Sequence, residues 1–79
     1  MRRRVVVYTA DGCHLCVRAL EVVRAVEDEL DFELELVQID GKPELEVRYR
    51  EHLPVVEIDG ERVFTHFVNG DALRERLLR

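Results

Sequence analysis

The sequence predicts an α/β protein with a four-stranded mixed sheet in β-α-β-α-β-β-α order and helices on both faces. Three observations predict it. A continuous β-forming run precedes a long amphipathic segment, an alternating segment follows, and two short β-forming runs flank Asp59-Gly60. A β-α-β succession favours a parallel pair with a right-handed crossover, whereas Asp-Gly between two strands favours an antiparallel hairpin. A sheet that contains both kinds of pairing is mixed.

The first strand and the first helix are predicted from a change of pattern. Residues 5–8 form a continuous run of Val-Val-Val-Tyr, which is typical of a strand covered on both faces. Apolar residues then recur at helical spacing from Leu15 to Leu30, with charged residues on the opposite side. This periodicity predicts a helix from about Cys13 to Glu29.

The second strand and the short second helix come next. Phe32, Leu34 and Leu36 alternate with two glutamates, which predicts a strand that runs to about Ile39. Its charged flank suits the edge of a sheet. Pro43 can occupy the first turn of a short helix, and Pro54 ends any helix that precedes it.

The last three elements are two strands and a helix. Residues 55–58 and 61–64 are the two β-forming runs on either side of the Asp-Gly pair, so they predict a hairpin. Asn69 can cap a final helix, and Leu73 lies on its apolar face.

Composition and charge exclude several classes of protein. The chain has 79 residues, of which 47% are hydrophobic, so we expect one folded domain, 1–79, rather than a disordered chain. Its net charge of −5 argues against nucleic acid, and we expect the one basic run, Arg2–Arg4, to be a solvated, frayed terminus. No apolar run approaches the roughly 20 residues that cross a bilayer. We therefore expect a soluble, cytoplasmic monomer without nucleic acid or membrane partners.

Cys13-His14-Leu15-Cys16 is the motif that carries chemistry. It follows the first predicted strand and opens the first helix, and sites in open α/β sheets form beyond the carboxyl ends of strands. The unpaired N–H groups of a first helical turn stabilise a thiolate, so we expect Cys13 to have a lowered pKa and to be the attacking thiol. Cys16, one turn later and less exposed, can resolve a mixed disulfide at Cys13. Asp11 would raise the pKa of the thiol, whereas a protonated His14 would lower it.

Other interpretations of the two cysteines stay open. They could be buried and inert, or they could supply two of the four ligands of a zinc site, with His14, His52 and His66 as the remaining candidates. The chain could also be a non-catalytic adaptor, or a metal or iron–sulfur carrier that uses Cys13. A CxxC pair beside a β-α-β pattern in a cytosolic chain favours thiol–disulfide chemistry.

The motif and its surroundings resemble a known family. The segment Val5–Cys16 resembles the opening of a glutaredoxin, and His52–Gly60 resembles the segment around the cis-proline in the same thioredoxin-fold family. The resemblance covers nearly the whole chain. Within the family, the chain is most similar to a bacterial, uncharacterised glutaredoxin-like group with a C-H-L-C motif. It implies a thioredoxin fold in which Cys13 is the nucleophile, Cys16 the resolving thiol and Pro54 a cis-proline opposite the dithiol.

The resemblance also implies a substrate site and an activity, that of a thiol–disulfide oxidoreductase. Leu53 would offer its backbone N–H and C=O to an extended peptide or to glutathione, and Asp71 would contact glutathione. From the residues themselves we add His14 as a candidate contact, and we expect Tyr8 to pack near the motif through its ring, with a substrate contact as the alternative. The implied substrates are disulfide-containing proteins or glutathione mixed disulfides. Glutathione or a reductase protein would re-reduce the chain, and no metal or organic cofactor would be bound. The chain carries Ala10 where glutaredoxins carry Lys, and losing that cation removes a charge-assisted contact with glutathione.

Overall fold

The computed structural model describes residues 2–79, and its elements follow the predicted order. The strands and helices are β1 (Arg4–Thr9), α1 (His14–Glu29), β2 (Glu33–Gln38), α2 (Pro43–Tyr49), β3 (Val55–Ile58), β4 (Glu61–Thr65) and α3 (Gly70–Leu78). A short 3-10 turn, Arg50–His52, continues α2. Within residues 2–79, no helix is long and apolar enough to cross a membrane.

The four strands form one mixed sheet in the order β2-β1-β3-β4. β1 and β2 are parallel, with Val5 opposite Leu34, whereas β3 is antiparallel to β1 and β4 is antiparallel to β3. The parallel pair follows from the crossover through α1, because a helix returns the chain to the same end of the sheet. β2 is an edge strand, as its glutamates predict, since charge on an exposed edge discourages pairing with other chains.

The turn between β3 and β4 confirms the predicted hairpin. Asp59 and Gly60 both have positive φ, 50° and 86°, which a two-residue type I′ turn requires. Glycine adopts this conformation without steric cost, and aspartate tolerates it better than most residues. The Asp59 carboxylate accepts a hydrogen bond from the N–H of Arg4 at 3.0 Å. That bond, with the Arg3 guanidinium, lowers the pKa of the Asp59 carboxyl.

The two faces of the sheet are covered unequally. One face packs against α1 and α3 around a buried cluster that includes Val7, Val23 and Leu73. The other face meets only α2, and a helix of seven residues is about 10 Å long. Val6 and Tyr8, which point to this second face, are therefore only half-buried. The expectation that the first strand is covered on both faces therefore holds fully for one face and in part for the other.

The basic run at the amino terminus is solvated at Arg2 and Arg4, as expected, but it is not frayed, because Arg4 begins β1, and that part of the expectation is wrong. The three arginines form ion pairs with carboxylates, in the order Arg2–Asp31, Arg3–Asp59 and Arg4–Glu35. Arg2 also donates a hydrogen bond to the C=O of Phe32 at 2.8 Å. Exposed pairs of this kind add little stability. Carboxylates of the same chain thus balance the positive charge of the basic run.

Candidate active site

Cys13 and Cys16 lie at the start of α1, beyond the carboxyl end of β1. The structure joins them in a disulfide whose Cα atoms are 5.2 Å apart, within the usual range for such bonds. Cys13 is half-buried, whereas Cys16 is 1% exposed. An incoming thiol or disulfide therefore reaches Cys13 first. The unequal exposure agrees with the sequence analysis, and the roles of Cys13 as attacking thiol and Cys16 as resolving thiol stay predictions.

Cys13 is the N-cap of α1, and this position gives its sulfur a hydrogen-bond donor. The Cys13 Sγ accepts a hydrogen bond from the N–H of Cys16 at 3.1 Å. An N-cap is usually Ser, Thr, Asp or Asn, whose side-chain oxygen accepts the same bond. In the reduced protein this N–H would face a thiolate, and the positive end of the helix dipole would favour the charged form of the thiol.

Leu53 and Pro54 are buried beside the disulfide. The peptide bond between them is cis, as the resemblance implies. Leu53 is extended, with φ −63° and ψ 143°, and it belongs to the same buried cluster as Cys16 and Val55. Its backbone contact with a substrate stays a prediction, and so does the role of His14, which is exposed as the first residue of α1.

His66 holds the segment before Pro54, and the sequence did not single it out for this. Its N–H donates to the C=O of Pro54 at 2.9 Å and lies 3.3 Å from the C=O of His52. Its Nε2 lies 3.1 Å from the C=O of Glu51. His66 has a φ of 67°, which is uncommon for any residue but glycine. No local pattern marks such a residue, because its partners lie far away along the chain.

Tyr8 forms a stacked pair with Tyr49 on the face of the sheet that α2 covers. Its ring lies 4.0 Å from that of Tyr49, centroid to centroid, and the guanidiniums of Arg48 and Arg62 each lie 5.4 Å from the Tyr49 ring. The hydroxyls of Tyr8 and Tyr49 donate to Glu57 at 3.4 Å and 3.1 Å. Burial, followed by the bond with Tyr49 and the charge of Glu57, raises the pKa of Tyr8. The predicted substrate role of Tyr8 is not tested by this geometry, which engages its hydroxyl with Glu57.

The raised pKa of Tyr8 predicts a loss of stability at alkaline pH. Above the ordinary tyrosine value of 10.0, the unfolded chain releases a proton that the folded protein keeps, so the free energy of unfolding falls as pH rises. Tyr8→Phe keeps the stacked ring, and we expect a shallower fall, with a loss of at most about 1 kcal/mol near neutral pH. Urea unfolding between about pH 8 and pH 11 measures both quantities. Tyr49→Phe, which removes a second cause of the shift, should give an intermediate slope, and equal slopes in all three proteins would contradict the prediction.

Asp71 lies in the first turn of α3, where its carboxylate pairs with Arg74 at 2.9 Å. β4 runs parallel to β1, so α3 begins at the same end of the sheet as the disulfide. A substrate contact at Asp71 stays a prediction. Within the described range 2–79, no three His, Cys, Asp or Glu side chains lie close enough to hold a metal ion.

Two open clefts flank the first turns of α1. The larger, about 300 Å³, is lined by residues 9–14 with Val17 and Leu20. The smaller, about 80 Å³, lies between α1 and the loop after β4, and Arg18 and Phe67 are among its lining residues. Val17 and Phe67 are large apolar side chains that are 59% and 72% exposed. An extended chain with apolar residues near its disulfide would find apolar contacts on both sides of α1.

The chain is similar to known proteins over nearly its whole length. A model of the Glutaredoxin-like domain (DUF836) matches residues 4–78. The uncharacterized protein Mb0520 of Mycobacterium bovis is 31% identical in an alignment 83 residues long, which spans 99% of this chain and 86% of that protein. The solution structure of protein Ne2328 from Nitrosomonas europaea has a TM-score of 0.81 at 30% identity, covering 98% of this chain and 93% of that one. A thioredoxin from Fasciola hepatica has a TM-score of 0.66 at 28% identity, covering 99% and 80%.

Proposed function

Because the chain belongs to the Glutaredoxin-like domain (DUF836) family and has a thioredoxin fold, we propose that it is a thiol–disulfide oxidoreductase acting on protein or glutathione mixed disulfides. One observation carries the proposal. Cys13 is half-exposed at the N-cap of α1, and Cys16 is buried one turn behind it. A disulfide stabilises a fold more when it closes a longer loop, and this one joins residues only three apart. Reactivity therefore accounts for the pair better than stabilisation does.

The reaction consists of two exchange steps. The Cys13 thiolate attacks one sulfur of the substrate disulfide, a Cys13–substrate S–S bond forms, and the second substrate sulfur leaves as a thiolate. Cys16 then loses its proton to solvent and attacks the Cys13 Sγ. The Cys13–Cys16 bond forms, and the first substrate sulfur leaves as a thiolate. Two electrons have passed from the dithiol to the substrate, and the chain is in the oxidised state that the structure contains. A dithiol reductase, or two molecules of glutathione, restores the reduced state.

The charges at the two clefts bear on the choice of substrate. Among the described residues that line the cleft at Cys13 there is one carboxylate, Asp11, and no Lys or Arg. Glutathione carries two carboxylates and one ammonium group, so its carboxylates find no Lys or Arg partner there, and His14 is the one side chain of that cleft that could pair with them when protonated. Arg18 lines the smaller cleft across α1, where one glutathione carboxylate could meet a cation. The charges at the cleft that contains Cys13 support polypeptide disulfides as its substrates, with glutathione as a co-substrate.

The test is a titration of the protein in glutathione redox buffers, with free thiols trapped by alkylation and the species resolved by mass spectrometry. We expect a reversible two-electron transition between the dithiol and the Cys13–Cys16 disulfide, with some chain carrying glutathione on Cys13. A pair that cycles only with a reductase protein, and never forms the glutathione adduct, would support exchange with a protein reductant. If no Cys13–Cys16 disulfide forms in any buffer, the proposed function is wrong.

A further inference from the structure

A polar network around Asp40 joins three segments near the disulfide. Asp40 follows β2 at the same end of the sheet as Cys13, because β1 and β2 are parallel. Its Oδ2 accepts hydrogen bonds from the N–H of Asp11 at 2.8 Å and from Nε2 of Gln38 at 3.1 Å. Its Oδ1 accepts from Nη2 of Arg50 at 3.2 Å. One carboxylate thus contacts the loop before Cys13, the end of β2 and the 3-10 turn after α2.

Further contacts close the network. Nε2 of Gln38 also donates to Oδ1 of Asp11 at 2.6 Å, and Arg50 pairs with Glu46 at 2.6 Å. The bond from the N–H of Asp11, followed by those from Gln38 and Arg50, lowers the pKa of the Asp40 carboxyl, so that it is ionised at neutral pH. An ionised acceptor forms stronger hydrogen bonds than a neutral one.

The loop that Asp40 holds determines how the chain enters α1. Asp11 stands two residues before Cys13, and Gly12 between them has a φ of 74°, which glycine adopts freely. A loop with such a residue needs an outside contact to keep one conformation. The bond between Asp11 and Asp40 supplies that contact. It therefore supports the geometry in which the Cys13 Sγ accepts from the N–H of Cys16.

At the other end of the network, Arg50 opens the 3-10 turn three residues before Leu53. We propose that Asp40 is a positioning residue for disulfide exchange, which holds the Cys13 loop and the segment leading into Pro54 at a fixed separation. The two segments would contact opposite sides of a bound disulfide, and misplacement of a reacting group by about 1 Å can cost about 10²-fold in rate. This inference rests on the proposed function, since exchange is the reaction that the positioning serves.

Asp40 also places a negative charge against the N–H of Asp11, two residues before Cys13, and a negative charge there opposes the thiolate. The position of the Asp40 carboxylate thus favours the Cys13 thiolate, whereas its charge opposes it. Two substitutions separate these effects. Asp40→Asn keeps an oxygen that can accept from the N–H of Asp11 but removes the charge. Asp40→Ala removes both the acceptor and the charge.

Two measurements on the full chain test the proposal. One is the second-order rate of exchange with a short peptide whose single cysteine carries a glutathione mixed disulfide. The other is the pH profile of iodoacetamide alkylation at Cys13 in the reduced protein. We expect Asp40→Ala to lose about tenfold in exchange rate and Asp40→Asn to lose less than about threefold, because only the alanine frees the loop. In Asp40→Asn, which removes only the charge, the alkylation profile should move to lower pH, which a purely structural role of Asp40 would not cause. In Asp40→Ala the profile should lie at higher pH than in Asp40→Asn, because the loop that presents the N–H donor to the Cys13 Sγ is freed as well.

Glu29→Ala is the matched control, because Glu29 is also a carboxylate whose pKa an arginine, Arg74, lowers, but it lies at the end of α1 away from Cys13. It should keep the rate and the pH profile of the wild type. Exchange by Asp40→Ala at the wild-type rate would overturn the proposal, and so would equal losses in both Asp40 variants with unmoved alkylation profiles. If Asp40→Ala does not fold, Gln38→Ala replaces it and should lose exchange rate, although less than about tenfold. Exchange by Gln38→Ala at the wild-type rate would then overturn the proposal.

Failure of the proposed function has a different signature. In that case the wild-type protein would reduce none of the disulfides offered to it. The alkylation profiles of the two Asp40 variants would still report whether Asp40 acts on Cys13. The two ideas can therefore fail separately.

Discussion

Cys13→Ser should abolish disulfide exchange, a loss on the order of 10³-fold or more, because a few per cent of even an ordinary thiol is ionised at neutral pH whereas a hydroxyl stays protonated. Serine also cannot form the mixed disulfide through which both electrons pass. The half-exposed Cys13 is the sulfur that a substrate reaches first, since Cys16 is 1% exposed. The rate of reduction of a disulfide-bonded peptide, followed by chromatography of the released thiols, measures the loss.

The fold of this variant should survive, which separates chemistry from stability. Serine is a preferred N-cap residue, so its oxygen can accept the bond from the N–H of Cys16 that the Cys13 Sγ accepts in the structure. Cys13→Ala is the matched control: it removes the nucleophile and also the cap, at a cost of about 1 kcal/mol in the free energy of unfolding. Both variants should be inactive, but only Cys13→Ala should have a lower free energy of unfolding than the reduced wild type. Full activity in Cys13→Ser would show that the nucleophile has been assigned to the wrong residue.

Cys16→Ser should instead stop the reaction at its intermediate and accumulate chain linked through Cys13 to the substrate. The first exchange step needs only Cys13, whereas release of the product needs the second thiol. Incubation with a disulfide-bonded peptide, followed by mass spectrometry without reductant, should show the chain plus one peptide half. Addition of a small dithiol should release that half and restore the mass of the free chain.

The buried position of Cys16 calls for a second variant at the same site. Cys16 belongs to a buried cluster with Ile39 and Leu53, and an unpaired hydroxyl placed there costs about 1–3 kcal/mol. Cys16→Ala keeps the site apolar and should trap the same adduct with less loss of stability. If both variants turn over protein disulfides at the wild-type rate, the resolving role of Cys16 is wrong.

Local signals determined the elements and the position of the dithiol. The helical period of α1 and the two turn residues of the hairpin act over a few neighbouring residues, so they can be interpreted without the fold. The same holds for the cap of α3, where Oδ1 of Asn69 accepts from the N–H of Ala72 at 3.0 Å. Cys13 and Cys16 lie within one helical turn, so their unequal exposure was also predictable. The cis state of Pro54 was implied by the resemblance and not by the residues, since most X-Pro bonds in folded proteins are trans.

Only the tertiary structure decided what surrounds the dithiol. Local periodicity places residues on elements but does not order the strands, so the β2-β1-β3-β4 sheet was not specified by the sequence pattern. The Asp40 carboxylate meets the N–H of Asp11 across 29 residues. His66 meets Pro54 through a backbone N–H, which every residue except proline possesses and which leaves no mark in the sequence. Pairing between distant residues depends on how the elements pack, and so the dithiol was predictable while the contacts that hold it in place were not.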